Sequence, residues 1–340
     1  MKGFDSVTIK DIARLSGYGV STVSRALNGH PDVSKETKKK INEIVKKYNY
    51  VPNANARQLK QNVSKNILII VKGSFNLFFS TVIEHIQVAT DKAGISAIVH
   101  YIDEDDNEVK MAHRLCIEQK PIGIIFLAGN INFFKQGFEG IKIPCVLSTT
   151  YAKGLEFDNL SSVCVDDVGG AEKAIDHFFD SGHKNIGIIS GEFNKANAAL
   201  LRLDGCKKSF KKHNVKFDSG AYVESKFSIS AAYEATKALI TKNNDITAIF
   251  AMSDIMGMGA IRALMDLGKK VPEDVSVIGF DGIELASYYT PRLTSISQPE
   301  KEIAAISLKL LMDMIEKNKP ASHVLLEATL QKGDSVKRFK

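Results

Sequence analysis

The sequence predicts an α/β protein in which a small three-helix, helix-turn-helix head precedes a body of two doubly wound parallel-sheet subdomains. Three observations carry this. Residues 1–60 hold 12 Lys+Arg against 5 Asp+Glu, whereas the remainder holds 33 against 34, so the excess positive charge sits in the first sixth of the chain. From Asn66 onward, short apolar runs alternate with amphipathic helical stretches, the pattern of parallel strands with helices on both faces. The pattern also repeats: Asn66-Ile67-Leu68-Ile69-Ile70 is echoed by Asn185-Ile186-Gly187-Ile188-Ile189.

In the head, Thr8 and Asp11 fit a capping box for a first helix running to about Ser16, with Ile9, Ile12 and Ala13 on one stripe. Gly17 suits the left-handed backbone of a tight turn. A second helix, about Val20 to Leu27, buries Val23 with Ala26 or Leu27, and Asn28-Gly29 breaks it. Ser34 caps a third, whose apolar face is Ile41, Ile44, Val45 and Tyr48 and whose other face carries Lys38, Lys39, Lys40, Lys46 and Lys47. Pro52 closes the unit. Two helices joined by a four-residue turn with glycine make a helix-turn-helix, and a locally basic module suits a nucleic-acid partner. Composition alone leaves a generic three-helix bundle open.

In the body, strands are expected at Ile67 to Val71, Ala97 to Ile102, Ile122 to Leu127 and Val146 to Ser148. A second series is expected at Ile186 to Ser190, Ala248 to Ala251 and Val275 to Gly279. Gly94, Gly182 and Gly268 end helices between them. Ligands of such sheets bind beyond the carboxyl ends of the strands, here facing across a cleft.

Several function classes are disfavoured. No apolar run approaches the roughly 20 residues of a membrane span, and the start lacks a signal-peptide pattern, so a cytoplasmic protein is expected. Cys116, Cys145, Cys164 and Cys206 lack CxxC spacing, and the eight histidines lack metal-ligand spacing; no metal and no cofactor are called for. His183 reads as a structural histidine. No GxGxxG follows the first strand, and GxSxG, P-loop and His–Cys patterns are missing, which argues against an enzyme.

The residues of the head closely resemble those of the LacI/GalR family of bacterial transcriptional regulators. The resemblance runs through Val7 to Gly17, Ser21 to Asn28, Val33-Ser34-x-x-Thr37, and Tyr50-Val51-Pro52-Asn53-Ala54-x-Ala56-Arg57-x-Leu59. In the body it includes Asn76-Leu77-Phe78-Phe79, Val165-Asp166-Asp167-x-x-Gly170, Arg202-Leu203-x-Gly205, Ser253-Asp254, Val277 to Asp281 and Thr290 to Pro299. It implies a periplasmic-binding-protein-like body and three segments: a DNA-binding domain at 1–52, a hinge helix and linker at 53–65, and an effector-binding and dimerisation body at 66–340. Within the body, subdomain 1 would span about 66–165 and 296–325, and subdomain 2 about 166–295 and 326–340.

The resemblance implies that Val20, Ser21 and Arg25 face base edges, with Leu59 wedging into the minor groove. Arg can pair bidentately with guanine, Ser with several bases, and Val with a thymine methyl. Thr8, Thr22, Ser24, Asn28, Ser34, Thr37, Tyr50 and Asn53 match phosphate contacts, which position without specifying. Gly19 departs from the serine common there. Asn53 to Leu59 is too short to hold a helix alone and would fold when paired with its twin on DNA; a linker leucine packing on the body is the plain alternative for Leu59. For the cleft, the resemblance implies Phe78, Phe79, Thr149, Arg202, Phe227, Ser253 and Asp281. Ser253, Gly282 and the Thr149-Thr150 pair depart from common family residues, which individualises the pocket. Arg202 and Asp281 could instead form structural ion pairs.

The expected function is therefore a repressor that binds a palindromic double-stranded operator as a homodimer, with affinity set by a small sugar or related metabolite. Control by a protein co-regulator docking on the body is the alternative. A free solute-binding protein does not fit the basic head. The tail after Gln331 has no heptad repeat for a tetramer, so a dimer is the expected limit.

Overall fold

The structure is a computed structural model that describes residues 7–27, 29–48, 50, 66–73, 76–152, 154–192 and 197–338. The chain divides into two units, Met1–Ser64 and Lys65–Lys340. The hinge expected at 53–65, with Asn53 and Leu59, lies outside the described residues, as does Asn28.

The first unit holds helices α1 (Ile9–Ser16), α2 (Val20–Leu27) and α3 (Lys35–Lys47). The Thr8/Asp11 capping box is present: Asp11 N–H donates to Thr8 Oγ1 and the Asp11 carboxylate accepts from Thr8 N–H at 3.0 Å. Gly17 closes α1 at φ 74°, a region side chains other than glycine rarely enter. Ser34 Oγ caps α3 by accepting from Thr37 N–H. Ile12, Val23 and Ile41, one from each helix, are fully buried and anchor a core with Ala13, Ala26 and Val33.

The second unit contains two six-stranded sheets. The first joins β1 (Asn66–Lys72), β2 (Ser96–Ile102), β3 (Gly123–Leu127), β4 (Cys145–Ser148), β5 (Leu160–Val165) and β11 (His323–Leu326) in the order β11-β5-β4-β3-β1-β2. The second joins β6 (Ile186–Gly191), β7 (Tyr222–Ser225), β8 (Ala248–Ala251), β9 (Ser276–Asp281), β10 (Thr294–Ser297) and β12 (Thr329–Gln331) in the order β12-β10-β9-β8-β6-β7. The two orders are the same, so the sequence echo marks a structural repeat. In each sheet the order of strand addition reverses between the first and third strands, β1 and β3 or β6 and β8, the switch point where doubly wound folds bind ligands. Every pair is parallel except β10–β12, a refinement of the all-parallel expectation.

β1 is buried at all seven positions, as a parallel strand covered on both faces must be. Ile67, Ile69 and Val71 join one core with Phe78, Val82 and Ile86 of α4 (Leu77–Lys92). Leu68 and Ile70 join another with Ala112 and Leu115 of α5 (Glu108–Gln119) and Phe134 of α6 (Ile131–Gly137).

The chain crosses between the sheets three times. After β5 it enters α7 (Asp167–Asp180), which packs on α8 (Asn197–Lys212) and the second sheet. After β10 it returns through α12 (Glu300–Lys317), which packs on α4, β3, β4 and β5. After β11 it passes directly to β12. The second subdomain also includes α9 (Ile229–Lys242), α10 (Asp254–Asp266) and the short α11 (Glu284–Tyr288). Buried His183 pins the C-terminal segment, with Nδ1 3.0 Å from Thr247 Oγ1 and Nε2 3.2 Å from the Lys337 carbonyl.

Candidate functional site

Two surfaces gather the sequence-predicted residues. On the head, α2 buries Val23 and Ala26 and turns Val20, Ser21 and Arg25 outward; Thr22 and Ser24 flank them half-buried. Val20 is 43% exposed, an apolar side chain left in solvent on a basic unit. Arg25 is not idle: Nη1 donates to Asp32 Oδ2 at 2.8 Å, and Asp32 also contacts His30 Nδ1. This partner was missed in the sequence because it lies seven residues away, past the helix end. Ser34 Oγ donates to Thr37 Oγ1, and Thr8 Oγ1 donates to Asp11, so these hydroxyls serve helix caps on the exposed surface. The Thr8 side-chain and backbone hydrogen bonds hold the Asp11 carboxyl below its usual range. Tyr50 packs against the head core, and desolvation raises its phenol pKa. Of the lysine face, Lys38 donates to the Gly29 carbonyl and Lys40 lies 5.4 Å from the Tyr18 ring centre.

In the body, a cavity of about 240 Å³ opens at the carboxyl ends of both sheets. All seven expected cleft residues line it: Phe78, Phe79 and Thr149 from the first subdomain, and Arg202, Phe227, Ser253 and Asp281 from the second. Lys72, Asn76, Asp103, Glu104, Glu192, Asn197, Lys226 and Gln298 also line it and were missed as site residues. The signal that could have found them is position, because each follows or ends a strand or begins a helix.

Backbone strain gathers here. Ala128, Thr149 and Asp281, at the ends of β3, β4 and β9, hold φ values of 60°, 65° and 123°. For a β-branched threonine this is a marked outlier, and such strain concentrates at ligand sites. Thr149 Oγ1 accepts from Ala128 N–H at 3.1 Å, which ties the two strained corners together. A β-carbon at Gly191 would stand inside the Phe227 ring, so the glycine makes room for that aromatic wall.

The floor is a buried charged cluster. Arg202 Nε donates to Asp167 Oδ1 at 2.8 Å and Nη1 to the Met252 carbonyl at 2.5 Å, while the guanidinium lies 3.5 Å over the Phe280 ring. Arg202 thus does form a structural ion pair, with Asp167 rather than Asp281, and still faces the cleft. Asp281 accepts from Gln298 Nε2 at 2.8 Å. Burial pushes its pKa up to about 7, opposed by Arg202 and by hydrogen bonds from Gln298 and Asn76. Burial and the neighbouring Asp281 push Asp254 well above the carboxylate range; Asp254 accepts from Ser295 Oγ and Ile283 N–H. Across the mouth, Lys226 of the second subdomain reaches Glu104 at 3.1 Å and Asp105 at 3.8 Å on the first. Among the described residues, no group of His, Cys, Asp and Glu could hold a metal ion, and no helix is long and apolar enough to cross a membrane.

Comparison with known proteins decides what this two-part arrangement is. Residues 8–53 match the model of bacterial regulatory proteins of the lacI family, and residues 175–336 match the periplasmic binding protein-like domain. The HTH-type transcriptional regulator MalR of Clostridium butyricum is 40% identical over 334 residues, covering 97% of this chain and 99% of the relative. The chain belongs to the LacI family. Among solved structures, the transcriptional regulator CelR in complex with cellobiose superposes with a TM-score of 0.71 at 25% identity, over 97% of this chain and 99% of that one. The lac repressor dimer bound to operator superposes with a TM-score of 0.78 at 24% identity, over 98% and 100%, and shows the shared fold. As a LacI-family member the protein is a DNA-binding transcriptional regulator, not an enzyme. The helix-turn-helix head and the two-subdomain body with its cleft are the two parts matched by the family models.

Proposed function

We propose that the protein is a repressor that binds a twofold-symmetric operator as a homodimer and that a small sugar-like effector in the body cleft controls its affinity. The observation carrying the reading is the outward row of Val20, Ser21 and Arg25 on α2, with the core side chains Val23 and Ala26 behind it. A dimer of such heads meets two half-sites about one helical turn apart. Arg25 would read guanine, Ser21 a neighbouring base and Val20 a thymine methyl. Thr8, Thr22, Ser24, Asn28, Ser34, Thr37, Tyr50 and Asn53 would position the head on phosphates, and Leu59 would wedge into and kink the minor groove.

The cleft supports the effector half of the reading. Phe78, Phe79 and Phe227 offer apolar faces for the C–H side of a ring. Thr149, Arg202, Ser253 and Asp281 offer donors and acceptors for its hydroxyls. A ligand touching both subdomains favours the closed cleft, and closure would set whether residues 53–59 can meet their twins. Such coupling is reciprocal, so operator DNA must change effector affinity by the same factor.

The test is a thermal-shift screen against mono- and disaccharides, because a ligand of the native state raises the midpoint by mass action. Hits are followed by calorimetry with and without operator selected from random duplexes. Equal effector affinity with and without operator would sink the coupling. Operator affinity that changes only with an added protein partner would replace the sugar by a co-regulator.

A further inference from the structure

The cleft lies where two parallel sheets end and several helices begin, a setting that ordinarily attracts phosphate or carboxylate groups. Here the attraction has been cancelled from within. Each described cation lining the cleft is bonded to a carboxylate of the protein. Buried Lys72 Nζ lies 2.6 Å from Glu108 Oε2, Arg202 Nε 2.8 Å from Asp167 Oδ1, and Lys226 Nζ 3.1 Å from Glu104 Oε1.

Three helix starts at the cleft, those of α4, α9 and α10, are capped by the protein's own side chains. At α4 the Asn76 side chain accepts from Phe78 N–H at 3.0 Å. At α9 Ser228 Oγ accepts from Ala231 N–H at 3.2 Å, and at α10 Ser253 Oγ accepts from Met256 N–H at 3.3 Å. The Asn130 N–H beside the cleft points to Glu108 Oε1. Beneath these lie three buried carboxyls: Asp167 is bonded to Arg202, Asp281 accepts from Gln298 Nε2, and Asp254 accepts from Ser295 Oγ and Ile283 N–H. An anion there finds each described cation already neutralised and faces further carboxyl oxygens in a poorly solvated site, whereas a hydroxyl can donate to those oxygens.

We propose that the cleft selects an uncharged, hydroxyl-rich ligand and excludes phosphorylated and carboxylated forms of the same ring. The proposal rests on the reading of the cleft as the effector site and narrows that ligand to a neutral saccharide. Selectivity comes from the paired cations and capped helix starts, not from the aromatic walls, which would serve either form.

Calorimetry on the full chain tests it in three arms. Inorganic phosphate at millimolar concentration gives no saturable binding; saturable binding that is lost on Lys226→Gln or Arg202→Gln overturns the proposal. Glucose, ribose and cellobiose are compared with glucose 6-phosphate, ribose 5-phosphate and glucuronate. Any neutral sugar that binds does so roughly tenfold or more tightly than its anionic counterpart, a gap of about 1.4 kcal/mol; equal or tighter binding of the anion overturns it. In the third arm, Glu104→Gln with Asp105→Asn removes two carboxylates that neutralise Lys226 at the cleft mouth, and phosphate binding becomes measurable. No gain in that variant overturns the claim that the protein's own carboxylates exclude the anion. If no saccharide binds while both phosphate arms hold, the saccharide reading falls and anion exclusion stands.

Discussion

Arg25 is engaged by Asp32 before any DNA arrives, and that pairing sets a measurable handicap. The two side chains are 60% and 43% exposed and meet at 2.8 Å. Exposed pairs of this kind contribute about 0.2–1 kcal/mol, which is a factor of roughly 1.4 to 5 in an equilibrium constant. Asp32→Ala should therefore tighten binding by about that factor at each half-site, so by roughly 2 to 25 for a symmetric site if the two halves act independently. Arg25→Ala should cost about 1–3 kcal/mol and relax discrimination at one base position. The assay is a double-mutant cycle at fixed salt on duplexes selected from a random pool, with every base position varied in turn. The gain from Asp32→Ala should vanish in the Arg25→Ala background. If it persists there at full size, Asp32 acts only through the net charge of the head. If Arg25→Ala weakens all sequences uniformly, Arg25 is a phosphate contact and α2 reads bases by other residues.

Arg202→Met should destabilise the body by about 3–5 kcal/mol, because it strands Asp167 in the interior; urea denaturation should show part of the loss restored by adding Asp167→Asn. Gly205→Ala should lower the thermal midpoint: a β-carbon there meets the Val168 carbonyl oxygen and Ala171, and overpacking of about 1–3 kcal/mol outweighs the helix-propensity gain of about 0.8–1 kcal/mol. With its pKa raised to about 7, Asp281 is partly protonated at neutral pH. An effector whose hydroxyls donate to the carboxylate should bind more tightly as pH rises through that value, whereas Asp281→Asn should give a flat profile by calorimetry. Burial lowers the His183 pKa below its usual 6.5, so the unfolded chain takes up the proton first. The stability His183 contributes is present above pH 6.5 and declines as pH falls below it. The gap between wild type and His183→Gln in denaturation midpoint should therefore shrink on acidification.

What was legible in the sequence was what short-range chemistry writes. The Thr8/Asp11 box, the Gly17 stop and the Ser34 cap each depend on residues three or four apart, and all three are found in the structure. The β1 and β8 runs stood out because they are continuously apolar and buried on both faces. β5 did not, because Ser161 and Ser162 interrupt it. Both are fully buried, with Ser161 Oγ accepting from Ser322 N–H and Ser162 Oγ from Ala152 N–H, so partners far along the chain make polar residues acceptable in the interior. β11 and β12 were also missed, since as edge strands with exposed alternate positions they carry little apolar signal. The seven cleft residues came from family resemblance rather than periodicity. The pairing of Lys72 with Glu108, 36 positions apart, has no local signature at all.

The three crossings between the sheets bear on how the molecule must be made. No single cut of the polypeptide separates the two sheets intact, since the first needs β11, which follows the strands β6 to β10 of the second. On the ribosome, β1 to β5 emerge long before α12, which covers β3 to β5, and before β11, which pairs with β5. At about 5–20 residues per second the wait from β5 to β11 is roughly 8 to 32 seconds. During that time the β5 edge is an open template for pairing and the apolar face awaiting α12 is bare. Completion of the first subdomain is therefore gated by synthesis of the second.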